Sequence, residues 1–150
     1  MAEVNPFRIQ LARQLGIETV NPTETDLVAL VNDQTAGAGA DVVFEVSGSA
    51  AGTEMMTKLP RTRGRIVVVA IFGEPQRVDL FRCFWRELKI SGARVYERED
   101  FEAAIELAAS GSLPFDKLIT GVAPLEGLED CMHQMEKGGE VMKLLVRCAD

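Results

Sequence analysis

The sequence predicts an α/β fold built around a parallel sheet, and two apolar runs carry this prediction. Residues 42–46 and 66–71 read as continuous rather than alternating runs, and a glycine turn follows each of them, at Gly48 and Gly73. A strand that is apolar on both faces is typical of a parallel sheet covered by helices. Because a helical pattern precedes each run, strands and helices alternate as they do in βαβ units.

Capping residues and helical periodicity predict the other elements. The first helix is expected to begin after Asn5 with Pro6 in its first turn, and to stop at Gly16. Thr23 and Asp26 resemble a capping pair at the start of a second helix. Further helices are predicted at 50–59 (with Met55, Met56 and Leu59 toward the core), 99–109 and 126–136, further strands at 19–21, 88–91 and 141–146, and a turn at 60–64.

Composition limits the classes of function that are open to the chain. Its 150 residues suffice for one domain, and a net charge of -7 argues against a general nucleic-acid binder, which needs a basic face. Three widely spaced cysteines favour reduced thiols over a disulfide framework. Since no apolar run approaches the length of a membrane helix and no signal sequence is evident, we expect a cytoplasmic protein without a membrane partner.

The first residues predict that the sequence begins part-way through a dinucleotide-binding fold. Glu3 is of the kind that ends the second strand of a dinucleotide-binding domain, and no Gly-x-Gly-x-x-Gly turn precedes it. We therefore predict a Rossmann-like, three-layer parallel sheet that is truncated, with the first strand and the glycine-rich turn missing.

Three turns are candidates for a ligand cleft, because open α/β sheets bind ligands beyond the carboxyl ends of their strands. Small residues there let a flat ligand approach the backbone, and free amides can bind its polar edge. The alternative is that these are ordinary βα turns in which glycine relieves backbone strain. Three such turns on successive strands favour a site. Its predicted residues are Val46, Ser47, Gly48, Ala70, Ile71, Phe72, Ser91 and Gly92.

Two charged residues are further candidates. A carboxylate at Glu3 would accept hydrogen bonds from the adenosine ribose and repel a 2′-phosphate, which favours NAD over NADP. The alternative for Glu3 is a frayed, solvated terminal residue. Lys143 follows a double-glycine turn and could neutralise a pyrophosphate as a point charge, whereas the alternative is a solvated strand lysine.

Metal and nucleophile chemistry finds little support in the sequence. His133 is the sole histidine, and on a helix its side chain would point to a different face from that of Cys131. Zinc needs three or four convergent ligands, and no nucleophile elbow is present. We therefore predict no metal ligand and no catalytic residue within the chain, and a structural role for His133.

The order of several segments resembles that of the medium-chain, zinc-type alcohol dehydrogenases, and within them the polyol, 2,3-butanediol and threonine dehydrogenase branch. The resemblance covers essentially the whole chain, and the combined pattern is more specific than any single motif. The segments that carry it are Glu3 to Arg8, Leu15-Gly16, residues 41–48, 64–69 and 101–105, and in the tail residues 118–120, 124–126 and 139–143.

The resemblance implies hydride transfer between a secondary alcohol and NAD. It implies that residues 1–150 form part of an NAD-binding domain, with the family's tail from about residue 122. Glu3 would match the ribose-binding acid, Arg8 the basic residue near the adenine, and Lys143 the residue that reaches the phosphates. The three turns would line the cofactor cleft, with Ile71 and Phe72 near the nicotinamide.

The resemblance also implies what this chain lacks. The family's zinc ligands lie in an N-terminal domain that would hold the alcohol as well, so we expect the isolated chain to be inactive. In the 3-2-1-4-5-6 strand order, loss of the first strand exposes an apolar edge at residues 42–46, and the family's strand near 88–94 commonly pairs between subunits. We therefore expect a homo-oligomer. A non-catalytic interaction or assembly module and a zinc-free medium-chain reductase remain alternatives.

Overall fold

The computed structural model describes residues 1–148, in which helices and strands alternate over most of the length. The helices are α1 (Pro6–Gln14), α2 (Leu27–Gln34), α3 (Ala50–Met56), α4 (Leu80–Trp85), α5 (Arg98–Ala109), α6 (Phe115–Leu118) and α7 (Leu128–Lys137). The strands are β1 (Ala40–Glu45), β2 (Pro60–Val68), β3 (Lys89–Gly92), β4 (Ile119–Pro124) and β5 (Lys143–Arg147). A 3-10 turn, Leu125–Gly127, precedes α7. Within the described span, no helix has the length and apolar character needed to cross a membrane.

The chain divides into two compact units. The central unit is Asp26–Tyr96 and contains α2 to α4 and β1 to β3. The terminal unit joins Met1–Thr25 to the chain from Glu97 onward. All three predicted cleft turns fall in the central unit, whereas Glu3, Arg8 and Lys143 fall in the terminal unit.

The central unit is built on a parallel sheet with the strand order β1-β2-β3. Val43 pairs with Ile66, and Ile66 pairs in turn with Ile90, which places Ile66 on the middle strand. Its side chain is 0% exposed. Helices α3 and α4 provide the connections that parallel neighbours require. The predicted α/β class with a parallel sheet is therefore confirmed.

Strand β1 lies at an edge of this sheet, as the sequence predicts. Within residues 1–148 its partner is β2 on one side. The prediction that residues 42–46 are buried on both faces is nevertheless wrong, since Phe44 is 63% exposed and Val46 is 66% exposed. An edge strand also leaves backbone N–H and C=O groups without a strand partner, and an edge that is apolar as well is a known association hazard.

Helix α3 is shorter than the predicted span 50–59 but buries the expected side. Met56 is 4% exposed, which confirms its place in the core. Thr53 and Thr57, which the sequence analysis did not select, are 2% and 1% exposed. Their hydroxyls donate to carbonyl oxygens of the preceding turn at 3.0 and 3.2 Å, so that these polar groups are satisfied inside the helix.

The start and the end of β2 differ from the prediction. The strand begins at Pro60, which pairs with Ala40 of β1. The next pair joins Arg65 of β2 to Val42 of β1, so that β2 has four residues between the two pairs where β1 has one. Residues 61–64 therefore bulge out of the ladder, and this bulge explains why the segment resembles a turn. The strand ends at Val68, before the predicted end at residue 71.

The terminal unit opens as the capping residues predict. The Asn5 side chain accepts hydrogen bonds from the amides of Phe7 and Arg8 at 2.9 and 3.2 Å, and Pro6 is the first residue of α1. Gly16 follows the end of this helix with a φ of 76°. The predicted strand at 19–21 is reduced to a parallel bridge between Ala2 and Val20.

The predicted capping pair of Thr23 and Asp26 is wrong, because Asp26 is itself the N-cap of α2. Its side chain accepts from the amides of Val28 and Ala29 at 2.9 and 3.1 Å. The Thr23 amide instead donates to Asn21 Oδ1 at 3.0 Å, in the turn that precedes.

Three elements were not predicted. Helix α4 has six residues, and four large apolar ones among them are more than 70% exposed, so it lacks the one-sided periodicity that indicates a helix. Helix α6 has four residues. Strand β4 pairs in parallel with β5 but contains Gly121 and ends at Pro124, two residues that rarely indicate a strand.

Candidate cofactor site

The predicted cleft residues lie at one edge of the central sheet, at the carboxyl ends of its strands, although Ser91 and Gly92 belong to β3 itself and do not form a turn. Val46 follows β1 directly, residues 70–72 follow β2 after one residue, and Ser91 and Gly92 close β3. Gly92 is paired with Val68, the last residue of β2. Since the three strands run parallel, their carboxyl ends meet at this edge, where open α/β sheets bind ligands.

Glu45, the last residue of β1, organises the first of these turns, although the sequence analysis did not select it. The residue is 3% exposed. Its Oε1 accepts hydrogen bonds from the amide and hydroxyl of Ser47 at 3.0 and 2.5 Å, and the Gly48 amide lies 3.3 Å from both carboxylate oxygens. A buried carboxylate needs such donors. The signal in the sequence was an acid within an apolar run followed by a short polar turn.

The backbone of Glu45 holds the second turn as well. Its carbonyl oxygen accepts hydrogen bonds from the amides of Val69 and Ala70 at 2.9 and 3.1 Å. The expectation that free amides in these turns bind a ligand is therefore wrong for Ser47, Gly48 and Ala70, because their N–H groups already donate to Glu45. A ligand at this edge would meet side chains and the remaining backbone.

The glycines at this edge have different roles. Gly48 has a φ of 67°, and a Cβ there would lie 3.1 Å from the carbonyl oxygen of Ile71. Glycine at this position therefore permits the positive φ and the close approach of the two turns. This agrees with the alternative that Gly48 is an ordinary turn glycine. At Gly92, by contrast, a Cβ would meet no heavy atom of the described chain within 4 Å. The end of β3 thus borders open space.

The side chains at this edge are largely open and apolar. Val46 is 66% exposed and Ile71 is 81% exposed. Phe72 is half-buried. Ser47 Oγ lies 2.9 Å from Ser49 Oγ, and Ser49 in turn caps α3 by accepting from the Gly52 amide at 2.9 Å. An open apolar edge beside fixed turns suits a flat ring better than a charged group.

Glu3 makes backbone and side-chain contacts within the terminal unit. Its amide donates to the carbonyl oxygen of Val20 at 3.1 Å. One carboxylate oxygen accepts from the amides of Val4 and Asn5, both at 2.9 Å. The other oxygen lies 3.9 Å from Nη1 of Arg8. With its side chain 22% exposed, Glu3 keeps one oxygen directed toward a charged neighbour.

The same unit brings the predicted basic residues near the double-glycine turn. Arg8 Nε donates to the carbonyl oxygen of Val141 at 3.3 Å, and Asn5 Nδ2 donates to that of Gly139 at 3.0 Å. Lys143 begins β5 with its side chain exposed. Arg8 therefore links Glu3 to the segment that leads to Lys143, a connection that the sequence did not reveal.

A groove of about 830 Å³ lies elsewhere on the terminal unit. Its lining includes Val4, Ile9, Arg13, Asn21 and Glu24. None of the predicted cofactor residues lines it. The groove therefore does not coincide with the predicted site.

The surroundings of Cys83 disfavour its nucleophilic form. Burial, with a contribution from Asp79, raises the pKa of the Cys83 thiol, so less of it is thiolate near neutral pH. His133 lies on α7 with its side chain 60% exposed, and its ring nitrogens lie 3.9 and 3.5 Å from Glu129 and Glu136 on the same helix. These contacts fit a surface residue.

Comparison with known proteins decides the family. Residues 1–110 match the family model described as zinc-binding dehydrogenase. The chain belongs to the zinc-binding dehydrogenases. It is 45% identical over 148 residues to 2-dehydro-3-deoxy-L-galactonate 5-dehydrogenase of Pseudoalteromonas atlantica, which covers 99% of this chain and 43% of the relative. The resemblance to zinc-type medium-chain alcohol dehydrogenases is thereby confirmed.

Solved structures of dehydrogenases agree with this assignment. The 2R,3R-butanediol dehydrogenase from Bacillus subtilis superimposes with a TM-score of 0.86 at 30% identity, over 99% of this chain and 43% of that one. A protein from Sinorhizobium meliloti 1021 bound to NADP gives a TM-score of 0.83 at 27% identity, over 98% of this chain and 44% of that one. The Rossmann-like fold is confirmed. The chain spans less than half the length of these relatives.

The family name raises the question of whether the described residues fit a zinc ion. Among residues 1–148, no group of three or more His, Cys, Asp or Glu side chains is placed to hold a metal. Since zinc requires three or four ligands at about 2.0–2.3 Å, the described residues do not fit it.

Proposed function

We propose that this chain is the cofactor-binding portion of an NAD-dependent, zinc-type dehydrogenase that oxidises a secondary alcohol or polyol by hydride transfer. Residues 1–150 would form part of the NAD-binding domain, with the family's tail from about residue 122. The observation that carries the proposal is the position of the predicted cleft residues at the carboxyl edge of the central sheet, within the segment that matches the family. Sheet edges of this kind bind dinucleotides.

The names of the relatives support the proposed substrate class. The relative at 45% identity is named for a dehydrogenase of a deoxy sugar acid, and a structural relative is named for a butanediol. Both names are consistent with a polyhydroxylated or diol substrate. Since no metal site fits residues 1–148, we propose that zinc and alcohol are held by protein outside this chain. The isolated chain should then give no measurable turnover with NAD and a diol in the presence of zinc, and measurable turnover would contradict this proposal.

We propose that Glu3 is the residue that makes this chain prefer NAD over NADP. Its carboxylate would accept hydrogen bonds from the adenosine ribose and repel a 2′-phosphate. Glu3→Gln keeps an oxygen that can accept from the Val4 and Asn5 amides, while it removes the charge.

We therefore expect Glu3→Gln to lower the ratio of the NADPH dissociation constant to the NADH dissociation constant by about tenfold, equivalent to about 1.4 kcal/mol. Fluorescence titration with each nucleotide measures this ratio. Glu106→Gln, an exposed charge loss on α5, is the matched control and should leave the ratio unchanged. An unchanged ratio in Glu3→Gln would remove Glu3 from the specificity determinants.

We also propose that the chain forms a homo-oligomer in the cytoplasm. Phe44 in the edge strand β1 and Val46 directly after it are 63% and 66% exposed. Pairing of this edge across two copies would satisfy its unpaired backbone groups and place side chains of the second copy beside these two. Sedimentation velocity at micromolar concentration should give a species larger than the 16.4 kDa monomer. A single monomeric species would contradict self-association.

Titration with NADH tests the proposed function. Saturable binding, seen as a change in nicotinamide fluorescence and confirmed by calorimetry, is the expected result. If no binding occurs up to millimolar NADH while the chain is folded by circular dichroism, the cofactor proposal fails. A non-catalytic interaction or assembly module would then be the better description.

A further inference from the structure

We propose that Glu45 is a positioning residue that fixes the two cofactor-lining turns in one arrangement, a role that rests on the proposed cofactor function. One residue reaches both turns. Its side chain binds the turn after β1, and its carbonyl oxygen binds the turn after β2.

The carboxylate is committed to the first turn. It receives three donors, the Ser47 amide, the Ser47 hydroxyl and the Gly48 amide, at 3.0, 2.5 and 3.3 Å. Glu45 is 3% exposed, so bulk water has little access to replace them. Leaving a buried carboxylate without donors is costly, so any other conformation of residues 47–48 is disfavoured.

The two turns are also locked to each other. The Glu45 carbonyl oxygen accepts from Val69 and Ala70, and a Cβ at Gly48 would lie 3.1 Å from the Ile71 carbonyl oxygen. A shift of either turn relative to Glu45 therefore breaks at least one of these hydrogen bonds. Held in this way, the exposed side chains of Val46 and Ile71 keep a fixed spacing.

Helix α3 leaves space for the carboxylate because residue 52 is glycine. A Cβ at Gly52 would lie 2.5 Å from Glu45 Oε1 and would also meet Ser47 Oγ. Alanine is otherwise favoured over glycine inside a helix by about 1 kcal/mol. Glycine at this position therefore lowers the helix propensity of α3 but leaves room for the Glu45 carboxylate.

This geometry provides two variants that act on the carboxylate in different ways. Glu45→Gln keeps the size of the side chain but replaces one acceptor oxygen by an NH2 group, which opposes the Gly48 amide. Gly52→Ala leaves Glu45 in the sequence but pushes a methyl group against its carboxylate. Met56→Ala is the control, because Met56 is 4% exposed on the same helix and makes no hydrogen bond to the turn.

The experiment measures NADH affinity and residue-resolved amide exchange in the wild-type chain and the three variants. Loss of a hydrogen bond to a charged group predicts that Glu45→Gln and Gly52→Ala each raise the NADH dissociation constant about tenfold. The Ser47 and Gly48 amides should exchange faster in both variants even without NADH. Met56→Ala should lower global stability but leave the dissociation constant within about twofold and leave these two amides protected relative to their neighbours.

The outcomes separate the positioning role from the proposed function. A wild-type chain that binds no NADH overturns the proposed function, and the positioning role falls with it. Wild-type binding with unchanged affinity in both Glu45→Gln and Gly52→Ala overturns the role of Glu45 alone. Equal loss in all three variants, including Met56→Ala, also overturns it, because general stability would then explain the effect.

Discussion

Replacement of Ile66 by alanine should lower the free energy of unfolding by about 2–5 kcal/mol, a large part of the stability of a small domain. Ile66 is 0% exposed and lies on the middle strand of the central sheet, paired with Val43 and Ile90. Truncation removes apolar contacts and leaves a cavity that neighbouring strands cannot close without breaking their ladders. Urea unfolding monitored by circular dichroism measures the change.

The matched control is Ile71→Ala, which makes the same chemical change at a side chain that is 81% exposed. Its free energy of unfolding should stay within about 0.5 kcal/mol of the wild type. Equal losses in Ile66→Ala and Ile71→Ala would contradict the placement of Ile66 in the core.

Replacement of Gly48 by valine should abolish the ordered turn after β1 and weaken NADH binding by at least about tenfold. The φ of 67° at Gly48 is unfavourable for any residue with a Cβ, by about 1–2 kcal/mol, and more so for a β-branched one. The added Cβ would also lie 3.1 Å from the Ile71 carbonyl oxygen. The turn has to move, and its hydrogen bonds to Glu45 are then lost. Titration with NADH and urea unfolding measure the two effects.

Gly92→Ala is the control for this variant. A Cβ at Gly92 meets no heavy atom of the described chain within 4 Å, and Gly92 lies in β3 without a positive φ. Its stability should therefore change by less than about 0.5 kcal/mol. If Gly48→Val binds NADH with wild-type affinity, the turn after β1 is not part of the cofactor cleft.

Local signals predicted the parts of the fold that depend on neighbouring residues. Asn5 and Pro6 predict the start of α1. An N-cap side chain supplies an acceptor for free helix amides, and proline is favoured at the first helical position because the amide it lacks would have no partner there. The apolar runs at 42–46 and 66–71 predicted the parallel sheet, although β2 ends at Val68 and not at residue 71. Helix α4 was not predicted, because its apolar residues are spread around the helix and do not form one apolar side.

The arrangement of the candidate site was only partly predictable, because it depends on contacts between segments. The predicted cleft residues could be chosen from their places at the ends of strands, although Ser91 and Gly92 belong to β3 and not to a turn after it. The role of Glu45 could not be predicted, because an acid within an apolar run is usually interpreted only as part of the strand. The structure shows that its carboxylate accepts hydrogen bonds from amides of the following turn. The link from Arg8 to Val141 spans 133 positions, a separation that no local pattern encodes.

The most direct test of the central claim is a nuclear magnetic resonance titration of the isotope-labelled chain with NADH. We predict chemical-shift changes concentrated at residues 46–48, 70–72 and 91–92, with amides in the middle of α5 unchanged. Shifts confined to the groove beside α1, or no shifts at saturating NADH, would contradict the claim that the carboxyl edge of the central sheet binds the cofactor.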